Sequence, residues 1–266
     1  MTPRHINLLR GLRSNLKFTN RFQLIYERIF RRNLPLTHYI WKNRFVFICN
    51  PGLGDHMAIK ECFCERVYDQ FLDQCDLGSK PVTYVNIGAN IGAFDLLLLE
   101  RGLEIEAGLA VELNPRTYAR CLVNLQTNGL LSTQVVNAGV AGRNERIMFH
   151  PGGLSLADSI YPVSRARKNG GTEIQLLTLQ TLLERHAGHF PRFDLLKLDC
   201  EQAEYSIIRS SPPEMLRKFR YLIVEFHMEP ENESVKAAYA RLEEAGFSPF
   251  LNRRDKLGFL DLFVRS

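Results

Sequence analysis

The residues best suited to chemistry begin with Asn86-Ile87-Gly88-Ala89-Asn90-Ile91-Gly92, a glycine-bearing turn directly after an apolar strand and directly before a helix. Glycine lets a backbone approach a ligand closely, and a helix N-terminus offers unpaired N–H groups to polar or anionic atoms. A dinucleotide fingerprint counted from Gly88 requires glycine at positions 90 and 93. The chain has Asn90 and Ala93 there, and a side chain at 90 crowds a pyrophosphate, which disfavours an NAD-dependent oxidoreductase. Glu112 stands about twenty residues beyond the loop at the end of the next strand, where a carboxylate accepts both ribose hydroxyls. A ribose site beside a poor pyrophosphate site favours an adenosyl ligand without phosphates, and S-adenosylmethionine fits.

These residues need a sheet to hold them. From Pro81 onward strands and helices alternate, which predicts an α/β fold with a mostly parallel sheet and helices on both faces. Val82–Ile87 reads as the first strand and Ile91–Arg101 as the helix after it. Glu106–Glu112 is the second strand, and Asn114-Pro115 opens a helix with an N-cap followed by proline, ending at Asn128-Gly129. Gln134–Ala138 is the third strand. Arg146–Phe149 and Glu173–Leu177 read as an inserted hairpin or side sheet around a Gly-rich loop. Phe193–Leu198 and Tyr221–Phe226 are the fourth and fifth strands, too apolar to face water on either side. After a helix over Val235–Ala245, Phe247–Leu251 and Phe259–Val264 close the sheet as an antiparallel pair.

At this level the chain resembles the class I S-adenosylmethionine-dependent methyltransferases, and within them the FkbM family. The resemblance rests on G-A-N-I-G at Gly88–Gly92, V-E-L-N-P at Val111–Pro115 and Y-x-x-C-L-x-x-N-L-x-x-N from Tyr118 to Asn128. It continues through L-T-L-Q-T-L-L at Leu177–Leu183, D-L-L-K-L-D-C-E-Q-A-E at Asp194–Glu204 and I-V-E-F-H at Ile223–His227. It implies a Rossmann-like seven-stranded sheet of order 3-2-1-4-5-7-6 with an antiparallel last strand, and S-adenosylmethionine as cofactor. Asn86, Gly88, Ala89, Asn90 and Gly92 would then surround the methionine portion and Glu112 the ribose. Asn137 and Ala138 would border the adenine, and Asp199 would face the amino group or the acceptor. The chain departs from the family at two positions, with Asn86 where Asp is usual and Gln202 where Gly is usual.

Methyl transfer to a hydroxyl needs alignment and a base. Strand C-terminal ends collect ligands in open α/β sheets, so the candidates are His227, Glu225, Glu201 and Glu204. His227 is favoured because neutral imidazole is available near pH 7. Glu201 and Asp199, together with Glu225 and His227, could hold a divalent cation, but no spacing demands one and no metal is assigned. Ser210-Ser211-Pro212-Pro213 resembles the Asx-Pro-Pro-aromatic signature of amino methyltransferases. It follows a helix instead of the fourth strand, and Glu214 replaces the aromatic, so a hydroxyl acceptor is preferred over nitrogen. The family's pathways point to a sugar hydroxyl in a glycan, glycolipid or nucleotide-sugar precursor, or to a small secondary metabolite. Asn86 and Gln202 motivate the alternative of a non-catalytic scaffold on the same fold.

The net charge of +5 is uneven. Residues 1–44 carry ten Lys/Arg against Glu27 alone, and the remainder is mildly acidic. Leu8, Leu9, Leu12 and Leu16, then Phe22, Ile25 and Ile29, recur at helical spacing against arginines. The expected division is therefore a basic amphipathic helical segment over 1–44, a strand-helix lead-in over 45–80 and the methyltransferase domain over 81–266. The first segment is either a solvated basic flank packed by its Leu/Phe face onto the body or an in-plane contact with an anionic membrane. One tryptophan and an acidic body argue against nucleic acid. Six cysteines without metal-ligand spacing, no membrane-length apolar run and no secretory signal pattern point to a reducing, cytoplasmic setting, with peripheral attachment at the inner face of the membrane.

Overall fold

The computed structural model describes residues 13–31, 34–151, 160, 171–188, 190–230, 233–254 and 259–265. The first part of the basic pattern, Leu8 to Leu12, and the Gly-rich loop at 152–159 lie outside them.

The centre is a seven-stranded sheet. Its strands are β3 (Val82–Ile87), β4 (Ile105–Glu112), β5 (Thr133–Asn137), β9 (Phe193–Leu198), β10 (Phe219–Phe226), β11 (Phe247–Arg254) and β12 (Phe259–Arg265). Across the sheet they run β5-β4-β3-β9-β10-β12-β11, which is the order 3-2-1-4-5-7-6. Only β12 runs against its neighbours β10 and β11. Every residue of β3 and β9 is buried, the polar ones Thr83, Asn86, Asp194 and Lys197 included, within otherwise apolar strands.

Short polar devices hold the connections. Helix α5 (Pro115–Thr127) begins where the Asn114 side chain accepts from the Arg116 N–H, with Pro115 at the first helical position. Thr178 caps α6 (Leu179–His186) and Ser234 caps α9 (Val235–Glu244) in the same way. The inserted segment is a three-stranded side sheet, β6 (Gly139–Val140), β8 (Thr172–Leu177) and β7 (Glu145–Phe149), in which β7 and β8 pair antiparallel.

The N-terminal part departs from its expected form. Arg21–Phe30 is a helix, α1, but Thr37–Trp41 is a strand, β1, which pairs antiparallel with β2 (Phe45–Cys49). The strand alternates buried and half-buried residues, a period of two that the arginine pattern upstream obscured. Nor is this region an appendage. Phe18 is fully buried against Tyr39 and Trp41 with ring centroids 4.9 and 5.6 Å away, and Leu24 is buried in the same cluster. Asn124 on α5 and Asn128 at its C-cap pair with the backbone of Ile48 and Val46, covering the free edge of β2. These asparagines are the ones in the Tyr118–Asn128 pattern. After β2, the helix of the expected strand-helix lead-in is broken into pieces, beginning with α2 (His56–Ile59) and a π-helical turn Lys60–Glu65. It is interrupted at left-handed Arg66 and resumes in α3 (Asp69–Leu72).

Candidate functional site

The C-terminal ends of β3, β4 and β9 converge on an open cleft of about 790 Å3, the solvent at its mouth included. Of the residues expected from the sequence, Gly88, Ala89, Asn90, Glu112, Ala138, Asp199 and Glu201 line it. Gly88 is required by close approach, since a Cβ there would fall 1.7 Å from the Asp199 carbonyl oxygen while its φ is +83°. The loop is thereby pressed onto the end of β9.

The loop spends its own donors. The N–H groups of Gly88 and Ala89 bond the Val111 carbonyl, Asn90 N–H bonds Glu112 Oε2 at 2.9 Å, Ile91 N–H bonds Asn90 Oδ1, and Gly92 N–H bonds the Ala89 carbonyl. The expected set of unpaired amides facing a ligand is therefore absent over Gly88–Gly92. A pyrophosphate needs such amides and a neutral adenosyl group does not. The buried Glu112 carboxylate also accepts from the Asn114 N–H at 2.8 Å, so it ties together the loops after β3 and β4.

Three expected contacts stand behind the cleft. Asn86 is fully buried and donates to Asp95 Oδ2 at 2.8 Å, and Tyr84 donates to Asp95 Oδ1 at 2.8 Å. Burial raises the Asp95 carboxyl despite these bonds. Asn86 thus braces the start of α4 (Ala93–Glu100) from below and does not reach the cleft. Gly92, at φ +82°, abuts Leu125 of α5. Asn137 donates to the carbonyls of Glu112 and Leu113, at 2.8 and 3.0 Å.

Beside Asp199, four further groups gather from β10 and from the start of α7 (Ala203–Ser210). His227 Nδ1 lies 3.2 Å from Glu204 Oε1, and its Nε2 lies 3.5 Å from Glu201 and 3.8 Å from Asp199. Burial alone would lower the ring, but the Glu204 hydrogen bond and the charges of Asp199, Glu204 and Glu201 raise it to about 10. His227 is thus an imidazolium near neutrality, which corrects its expected role as a neutral base. Glu225 moves the other way: the Asp199 charge, then burial, push it up to about 8. Asp199 is held below its ordinary range by Lys197 and His227, against its own burial.

Two members of the site escaped the sequence reading. Tyr68 lines the cleft and its hydroxyl reaches Asp199 Oδ2 at 3.3 Å and Glu225 Oε2 at 3.4 Å. Lys197 is buried, donates to Asp199 Oδ2 at 2.8 Å and lies 5.5 Å from the ring centres of Tyr68 and Phe94. A lysine in a strand otherwise buried on both faces signals an internal anionic partner, and Asp199 is two residues on. Tyr68 carries no comparable local signal. Ligand atoms of Asp199, Glu225 and His227 lie within 4.8 Å of one another, a span a divalent cation could bridge. Here the chain's own cations, His227 and Lys197, already sit among these carboxylates.

The donor set fits S-adenosylmethionine. Carboxylates of Glu61, Glu112, Asp199 and Glu201 against one buried lysine make the cleft net negative, suited to a sulfonium, and Ala138, Val140 and Val111 add apolar lining. Among solved structures, the fold is similar to a methyltransferase FkbM from Methylobacillus flagellatus KT, with 13% identity, TM-score 0.49, and 69% of this chain and 43% of that one covered. It is also similar to M. jannaschii TYW2 in complex with AdoMet, with 10% identity, TM-score 0.44 and 87% of each chain covered. M. capricolum TrmK, in complex with S-adenosyl-homocysteine, shows 10% identity, TM-score 0.45, and 75% of this chain and 67% of that one covered. No curated protein matches the chain. The model of the methyltransferase FkbM domain matches residues 86–249, well over half of the sequence and all of the cleft's central strands from Asn86 onward, and the chain belongs to that S-adenosylmethionine-dependent family.

Proposed function

We propose that this methyltransferase acts on a hydroxyl, with a sugar hydroxyl of a glycan, glycolipid or nucleotide-sugar precursor, or a small secondary metabolite, as acceptor. The observation that carries the reading is the Asp199–Tyr68–Glu225 line at the cleft wall. The cofactor supplies an electrophilic methyl group when bound. Asp199, kept ionised by Lys197, accepts the acceptor's O–H and fixes its direction. Glu225, reached through the Tyr68 hydroxyl, takes up the proton at Oε2, because a carboxylate raised to about 8 holds a proton that Asp199 does not. His227 and Glu204 position these groups, and Glu112 with the Gly88–Gly92 loop holds the adenosyl end.

The scaffold alternative loses part of its motive. Asn86 lies behind the cleft, so its lack of charge does not remove an anion from the cofactor's surroundings. A tritiated-methyl assay against fractionated glycans, lipids, RNA and small molecules tests the reading. Label in a base-stable ether of a sugar or metabolite is expected, and label confined to RNA or to amines would overturn the hydroxyl assignment. Calorimetry with S-adenosylmethionine and NAD separates the cofactor question, with heat expected from the first alone.

The reading extends to a membrane. Phe22, Tyr26, Ile29 and Phe30 form an exposed stripe on α1 at spacings of three to four residues, beside exposed Arg21 and Arg31. Aromatic and basic residues in that arrangement suit an anionic leaflet. Among the described residues no helix is long and apolar enough to cross a membrane. The six cysteines are unpaired thiols, which supports a reducing compartment.

A further inference from the structure

A second cavity, of about 820 Å3 with the solvent at its mouth, opens between α1, β1 and the start of α2, and shares no lining residue with the cofactor cleft. Its walls bring together Asn15, Arg28, Arg31 and His56, with Leu24 and Tyr39 as apolar surface. Three polar atoms there have no hydrogen-bond partner among the described residues: Asn15 Oδ1, Arg28 Nε and His56 Nδ1. Asn15 is 1% exposed, so bulk water does not serve it. The one carboxylate in the wall, Glu27, is engaged by the Thr37 hydroxyl and the Gln23 amide.

Positive charge in this region is incompletely balanced. Burial, then the charges of Lys60 and Arg28, push His56 down to about 4, and burial together with Arg28 pushes Lys60 down to about 8. A folded chain that keeps a buried guanidinium N–H and a buried amide unmatched gives up free energy that a complementary ligand recovers. Arginine's planar fork matches phosphate oxygens, a histidine N–H adds a neutral donor, and the Asn15 amide oxygen accepts from a neighbouring hydroxyl. A fully deprotonated inorganic anion such as sulfate offers no such hydroxyl.

We propose that this cavity binds the phosphate group of a phosphorylated polyol or sugar, with Arg28 and Arg31 on the phosphate and Asn15 on an adjacent hydroxyl. The site stands independently of the methyl-transfer reading. The ligand's source is a soluble metabolite or the headgroup of a lipid, since both present the same phosphate and hydroxyl.

Calorimetry of the full chain with glycerol 3-phosphate, and with glycerol as control, tests the assignment. Binding of glycerol 3-phosphate and silence with glycerol are expected. Arg28→Gln should weaken binding by about tenfold or more, the scale of one charge-assisted hydrogen bond. Asn15→Asp, which keeps the side chain's shape and adds a repelling charge, should do the same. S-adenosylmethionine affinity and the melting temperature report that both variants are folded. Absence of binding to the wild-type chain, or unchanged affinity in folded Arg28→Gln, overturns the proposal. Sedimentation with phosphatidylcholine vesicles containing phosphatidylglycerol separates the sources. Loss of vesicle binding in Arg28→Gln assigns the site to a lipid headgroup, and retained vesicle binding with lost glycerol 3-phosphate affinity assigns it to a soluble ligand.

Discussion

One carboxylate oxygen of Glu204 accepts both the backbone N–H of His227, at 2.9 Å, and approaches the ring Nδ1 of the same residue, at 3.2 Å. Glu204 is fully buried, so this anion has no water to prefer over the imidazolium. The pair fixes the turn after β10 and the charge of His227 together. Replacing Glu204 with Gln keeps an acceptor oxygen but removes the charge, and the His227 ring should titrate about 1 to 3 units lower. NMR titration of the His227 ring checks this. In the wild-type chain, the stabilisation from His227 is complete below its unfolded value near 6.5 and is lost as pH rises through about 10. Urea unfolding should accordingly lose the fall in stability toward pH 10 that His227 contributes when His227 is replaced by Gln.

A base works in its deprotonated form. With Glu225 at about 8, kcat should climb about tenfold per pH unit below pH 8 and level off above it. Glu225→Gln should reduce kcat roughly 10²- to 10⁴-fold and abolish that limb, with little change in cofactor affinity. A flat profile between pH 6 and 8 would remove Glu225 from the proton path.

Glu112 holds the Asn90 and Asn114 amides, so its loss should affect both loops around the adenosyl group. Glu112→Gln should weaken S-adenosylmethionine binding by about 10- to 150-fold, the worth of hydrogen bonds to a charged group. Calorimetry measures this directly, and unchanged affinity would end the assigned ribose role.

Gln202 sits at φ +79° immediately before α7, a left-handed backbone that costs a side chain about 1–2 kcal/mol and glycine almost nothing. Glycine's extra unfolded-state freedom offsets about half of that. Gln202→Gly should therefore raise the melting temperature by about 2 °C. Calorimetric melting of the pair checks the sign, and a lower value for the glycine variant would show that the Gln202 side chain contributes contacts of its own.

Phe18 packs edge-on to Tyr39 and Trp41 with no solvent exposure. Phe18→Ala should cost about 3–5 kcal/mol, seen as an earlier urea midpoint. Removing residues 1–32 should accordingly unfold the neighbouring hairpin of β1 and β2, whereas a detached arm would leave cofactor binding intact.

The sequence by itself determined the sheet and the place of the glycine loop beside the acid that ends the next strand. Buried parallel strands are mostly apolar, helix starts carry local caps, and a glycine loop before a helix with an acid on the next strand lies within one chain segment, so each leaves a local signature. Gly88 and Glu112 were legible for that reason. The tertiary structure alone decided how the other end works. Tyr68 meets Asp199 and Glu225 from 131 and 157 residues away, and no spacing along the chain encodes that approach. The same holds for ionisation: whether His227 or Glu225 carries the proton depends on which charges are buried beside it. The loop's amides, legible as donors, were already consumed by Val111 and Glu112 once β4 lay against β3. Residue type supplied the chemical repertoire, and the local field and hydrogen-bond accounting of the folded chain selected from it.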